Sequence, residues 1–105
     1  MKHIQELSPR ETYAAYMMDT VIVDVREPQD VANKSIDVKR FINLPYSELD
    51  KRFSELPDNR PVAFLSRIGI KGKEAARFMV EHGYENVATI EGGLTAWEEE
   101  GLPVR

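Results

Sequence analysis

The sequence predicts an α/β protein: a mainly parallel sheet with helices on both faces, a three-layer α/β/α arrangement. Three observations carry that reading. Apolar runs of strand length alternate with stretches whose apolar residues recur at helical spacing. The runs Val21-Ile22-Val23 and Val62-Ala63-Phe64-Leu65 are continuous, as in strands covered on both sides, rather than alternating as in a sheet with one wet face. The connections between them are short, as in βαβ units with right-handed crossovers.

The elements follow in order. Ser8-Pro9-Arg10-Glu11 is a helix start, with Ser8 as N-cap, Pro9 at the first helical position and Glu11 placed to complete a capping box, so a helix is expected over about 9–18. Val21-Ile22-Val23-Asp24-Val25 is a strand whose Asp24 interrupts the apolar pattern near its carboxyl end. Pro28 to about Asn33 forms a short helix, Phe41-Ile42-Asn43-Leu44 a short strand, and Ser47 to Leu56 a helix with Leu49 and Phe53 spaced i, i+4. The cluster Pro57-Asp58-Asn59-Arg60-Pro61 is a turn. After strand 62–65 comes a loop beginning at Ser66. A helix over about 72–82 then carries the stripe Ala75, Ala76, Met79, Val80 and closes at Gly83. Val87-Ala88-Thr89-Ile90 is the next strand. Glu91-Gly92-Gly93 turns into a last helix of about 94–100, with Trp97 as a core anchor and Gly101 as its stop.

Composition narrows the function. A chain of 105 residues, 42% hydrophobic and 30% charged, fits one compact domain over 1–105. The net charge of -4 and pI near 5.2 argue against nucleic acid as a partner, which would call for a basic face. Cysteine is absent, which excludes disulfides, thiolate nucleophiles and zinc-thiolate sites. Two separated histidines, His3 and His82, make no metal site. The opening MKHIQELSPRE has no apolar core of a leader, and no run approaches the roughly 18 apolar residues of a membrane span. The expectation is a cytoplasmic monomer without cofactor or metal.

Ligands of open parallel sheets sit outside the carboxyl ends of the strands. Those ends carry Asp24, Arg26 and Glu27, then Ser66-Arg67-Ile68-Gly69-Ile70-Lys71-Gly72, then Glu91-Gly92-Gly93. In the second of these, Gly69 permits a tight path and the following helix offers free N–H groups, a cradle for a sulfate-like or phosphate-like anion rimmed by Arg67, Lys71 and Lys73. The same stretch also reads as a solvated strand-to-helix turn. Ser66 as a nucleophile needs a base. His3 lies in the tail and His82 at the far end of the helix, roughly 15 Å off at 1.5 Å rise per residue. Asp24 and Glu27 have structural roles to fill first: Asp24 orienting backbone amides or pairing with Arg26, and Glu27 opening the next helix.

Taken together, Asp24-Val25-Arg26-Glu27-Pro28, Ile42-Asn43-Leu44-Pro45, the six-residue loop 66–71 before Glu74-Ala75-Ala76, Gly83-Tyr84, and Glu91-Gly92-Gly93 with Trp97 and Gly101-Leu102-Pro103-Val104 resemble the rhodanese family of sulfurtransferases over nearly the whole chain. The resemblance implies a sheet of about five strands and a site for thiosulfate or a persulfide at the loop. In active members, a cysteine opens that loop, takes a sulfane sulfur as a persulfide and passes it to a thiophilic acceptor. Ser66 occupies that position here.

Other positions depart too. Lys71 stands where arginine or a polar residue is common, Gly72 where serine often follows, and Lys34-Ser35-Ile36 where the family usually has Gly-His-Ile. About two residues are inserted around Asp37-Val38-Lys39-Arg40. The resemblance therefore implies a rhodanese-like domain that is catalytically silent and keeps an anion-binding loop for a small oxyanion, a sulfur-bearing small molecule or a protein. The alternative is a thiosulfate or persulfide sulfurtransferase whose cysteine has been replaced by Ser66. A serine hydrolase or phosphatase fits less well, since no base is in sight and the related phosphatases have a loop one residue longer.

Overall fold

The computed structural model describes residues 4–105, so His3 lies outside the described residues. The chain runs β1 (Gln5–Leu7), α1 (Pro9–Met18), β2 (Val21–Asp24), α2 (Pro28–Asn33), β3 (Ile42–Asn43), α3 (Leu49–Arg52), β4 (Val62–Leu65), α4 (Ile70–Glu81), β5 (Val87–Ile90) and α5 (Gly93–Glu99). The sheet has five strands in the order β1-β5-β4-β2-β3, every neighbouring pair parallel.

The capping box of α1 forms as its sequence requires: the Glu11 N–H donates to Ser8 Oγ at 3.0 Å, and the Ser8 N–H donates to Glu11 Oε1 at 2.8 Å. The continuous apolar runs of β2, β4 and β5 serve two cores, because successive side chains point to opposite faces. Val23, Val62, Phe64 and Val87 pack with Ala75, Ala76 and Met79 of α4 and with Leu49 of α3. On the other face, Ile22, Ala63, Leu65, Ala88 and Ile90 pack with Tyr16 of α1 and with Leu94 and Trp97 of α5. Trp97 is fully buried, as its spacing anticipates, and its indole N–H donates to the Pro103 carbonyl at 2.8 Å.

Three elements differ from the sequence reading. β1 escapes it because Gln5 and Glu6 are exposed on an edge strand three residues long, held by backbone pairing to Ala88 and Thr89 rather than by an apolar pattern. The helix expected over 47–56 breaks into 3₁₀ turns at Tyr46–Glu48 and Phe53–Glu55 on either side of α3. Arg52 binds Glu48 and Glu55 across that break, and these hydrogen bonds raise its guanidinium further above its ordinary range while lowering the Glu55 carboxyl. Tyr84 anchors the same stretch by donating to the Leu56 carbonyl at 2.8 Å; burial, with a smaller contribution from Asp58, pushes its phenol upward. The third difference is α4, which begins at Ile70 rather than near position 72 and shortens the loop before it.

Candidate functional site at the Ser66 loop

Gly69 makes that early start possible. Its φ of +101° places it in the left-handed region, where a side chain is strained, and lets the chain turn from β4 into α4 within a few residues. Ile70, Lys71 and Gly72 therefore form the first helical turn, and their N–H groups are the ones an α-helix leaves unpaired. Ser66 takes up one of them. Its Oγ accepts from the Gly69 and Gly72 N–H groups, each at 3.0 Å, so the loop wraps around its own hydroxyl. Ser66 is buried, at 3% exposure, and among the described residues nothing accepts its proton. Nor does any described residue accept from the N–H groups of Arg67, Ile68, Ile70 or Lys71.

Position 72 has little space. A Cβ there would stand 2.9 Å from Thr89 Oγ1, 3.0 Å from the Phe64 carbonyl and 3.2 Å from Ser66 Oγ. Thr89 Oγ1 is itself buried without a hydrogen-bond partner among the described residues.

The loop is fastened from behind by the first turn of α5. The Leu94 N–H donates to the Ser66 carbonyl at 2.8 Å, and the Thr95 N–H donates to the Arg67 carbonyl at 3.1 Å. With its carbonyls held there, the loop is left with N–H groups in excess. Gly93 lets α5 come this close, since a Cβ there would collide with the Ser66 carbonyl oxygen.

Asp24, at the end of β2, is fully buried and committed. It accepts the Arg26 N–H at 3.0 Å and pairs with the Arg26 guanidinium at 3.0 Å. Arg26 in turn donates to the Lys34 carbonyl at 2.7 Å and to the Asp30 carbonyl at 3.5 Å, tying α2 to the sheet. Asn43 donates to the carbonyls of Asp24 and Arg26 at 2.9 and 3.0 Å, a bracing role that its place in a short strand did not reveal. Glu27 precedes α2 but makes no capping bond; its carboxylate accepts from Ser47 Oγ at 3.1 Å. His82 caps the far end of α4, with Nδ1 2.8 Å from the Phe78 carbonyl. Among the described residues, no carboxylate or imidazole is hydrogen-bonded to Ser66.

Above the loop lies a cavity of about 630 Å³, lined by Ser66, Arg67 and Lys71 on one side of the sequence and by Val25, Glu27, Asp30 and Tyr46 on the other. Lys71 Nζ stands 4.7 Å over the Tyr46 ring and 3.6 Å from Glu74. Arg67 is exposed and forms no ion pair with a described residue. Among the described residues, no group of three His, Asp or Glu side chains is placed to hold a metal ion.

The model of the rhodanese-like domain matches residues 8–100 of this chain. The chain belongs to the rhodanese-like domain family. It is 33% identical to a sulfurtransferase of Allochromatium vinosum over 86 residues, 82% of this chain and 78% of that protein. It is 30% identical to the thiosulfate sulfurtransferase GlpE of Pseudoalteromonas translucida over 83 residues, 76% of this chain and 74% of that one. Its fold matches the crystal structure of a rhodanese-related protein from Thermoplasma volcanium with a TM-score of 0.86 at 28% identity, over 96% of this chain and 97% of that one. The family's five-stranded parallel architecture thus holds, and at its centre this rhodanese-like chain carries a hydroxyl, with no cysteine anywhere in the sequence.

The departures from the family pattern are packed into the structure. Ser35 is buried and exchanges backbone hydrogen bonds with Arg105, at 3.0 and 2.9 Å, and the neighbouring Ile36 bridges to Val104 and is fully buried. Residues 37–40, where an insertion is expected from the sequence, lie against α1: Val38 is in the core beside Tyr16, and the Arg40 N–H donates to the Tyr16 hydroxyl at 3.2 Å.

Proposed function

We propose that this rhodanese-like domain binds an oxyanion at the Ser66 loop and does not transfer sulfur. The observation that carries the reading is the loop's one-sided hydrogen bonding. The Ser66 hydroxyl proton and the N–H groups of Arg67, Ile68, Ile70 and Lys71 are donors without acceptors among the described residues, at a helix N-terminus where negative charge is favoured. Arg67 and Lys71 add positive charge at the rim.

A thiolate at position 66 would compete with an incoming anion for this set of donors. A neutral hydroxyl leaves the donors to the ligand. The same exchange removes the chemistry: sulfur carried on Ser66 would hang on a labile O–S bond, and no base is bonded to the hydroxyl to activate it.

Thiosulfate:cyanide sulfurtransfer and thiosulfate affinity, measured on the same sample, test the proposal. The expected result is saturable binding with no thiocyanate formed; thiocyanate above the uncatalysed rate would sink it.

The sulfurtransferase names of the relatives favour a second reading, in which Ser66 replaces a catalytic cysteine in an otherwise competent site. Ser66→Cys separates the two. Family-like turnover by the variant supports the second reading, and the integration of residues 35–40 with α1 and with residues 103–105 supports the first.

A further inference from the structure

The Ser66 loop accounts for only part of the cavity above it. At about 630 Å³ the cavity falls within the roughly 300–1,000 Å³ of organic-ligand sites. A bare tetrahedral oxyanion on the loop would leave most of that space to water.

The remaining lining carries two carboxylates beside Arg26, Asn33 and Ser47. Glu27, just before α2, and Asp30 within it both line the cavity. Neither forms an ion pair with a described residue. Glu27 accepts only the Ser47 hydroxyl, and the Asp30 side chain has no hydrogen-bond partner among the described residues. Arg26, which lines the same cavity, is already paired with Asp24 and bonded to the carbonyls of Asp30 and Lys34. The cavity therefore offers hydrogen-bond donors and cations on the loop, two unpaired carboxylates on the α2 side, and the apolar surfaces of Val25 and Tyr46 as further lining.

We infer that the ligand is a small zwitterionic organic molecule, with a phosphate, sulfonate or S-sulfonate group on the Ser66 loop and a primary ammonium group at Glu27 and Asp30. This rests on the oxyanion reading and extends it to the rest of the molecule that carries the anion. A second anionic group at the far end would be repelled by the two carboxylates, and an apolar end would leave them without a partner.

A matched pair of probes tests the inference. O-phosphoethanolamine and propyl phosphate have nearly the same shape, and the first carries an ammonium where the second carries a methyl. Both are titrated into the full chain while the amide NMR resonances are followed, with inorganic phosphate as the reference. O-phosphoethanolamine should bind about fivefold more tightly than propyl phosphate, the size expected of partly exposed ion pairs. That preference should vanish in the double variant Glu27→Gln, Asp30→Asn, both exposed positions whose replacement leaves the core intact. Equal affinities for the two probes, or a preference that survives the double variant, would overturn the zwitterion while leaving oxyanion binding in place. If none of the three phosphates moves the amide resonances of residues 67–71, the oxyanion reading fails, and the inference fails with it.

Discussion

The Leu94 N–H donates to the Ser66 carbonyl at 2.8 Å, so the first turn of α5 holds the loop with which α4 begins. The contact depends on Gly93, whose φ is +60° and whose missing side chain leaves room for the Ser66 carbonyl. Gly93→Ala should therefore lower stability by about 3 kcal/mol or more, combining backbone strain with a clash against main chain that cannot swing aside. Urea unfolding checks this, and a midpoint close to the parent's would mean that the clamp yields easily.

Asp24 and Arg26 form a buried pair, the carboxylate fully enclosed and the guanidinium side chain 10% exposed. Asp24→Asn keeps the shape and leaves that guanidinium without a counter-charge. Removing one partner of such a pair typically costs about 3–5 kcal/mol. The expected outcome is a loss of that order in urea unfolding, with α2 loosened because Arg26 ties it to the sheet. Rapid amide exchange over 28–34 would report the loosening.

How much of this was legible beforehand varies by element. The continuous apolar runs of β2 and β4 announced strands covered on both sides, and Ser8, Pro9 and Glu11 announced α1. β1 gave no such signal: an exposed edge strand is specified by backbone pairing, which leaves no apolar period in its side chains. The Ser66 loop stood out because a small residue, a glycine and a helix occur in succession, and the place of Asp24 beside Arg26 suggested their pairing. Leu94, Asn43 and Tyr46 reach the site only through folding, from segments with no local mark of that role.

Tyr84 gives a pH dependence with a definite sign. Its phenol is held above the ordinary range, first by burial and then by Asp58, so the folded chain keeps the proton more tightly than the unfolded chain. That contribution is fully present below the unfolded phenol value of about 10 and is lost as pH rises through the folded one. Stability should thus fall on the alkaline side, and Tyr84→Phe should be less stable at neutral pH, having lost its bond to the Leu56 carbonyl, but show a shallower alkaline decline. An unchanged alkaline slope in the variant would assign the decline to other groups.

Ser66→Cys should make oxyanion binding depend on pH. At low pH the thiol is neutral and binding persists. As pH rises through the thiol's value, about 8.5 when free and lower at a helix N-terminus, the thiolate competes for the donors and weakens binding of the ligand. The parent chain should show no such step, and sulfate titrations at a series of pH values would reveal it. Affinity in the variant that stays level with pH would mean that the ligand does not share the donors around position 66.

The most direct test is a titration of the parent chain with thiosulfate, read at individual amides by NMR. The account predicts saturable shifts centred on Arg67, Ile68, Ile70 and Lys71, with Gly69 and Gly72 moving less because their N–H groups already donate to Ser66 Oγ. Shifts scattered over other basic side chains, or none at the loop, would contradict it.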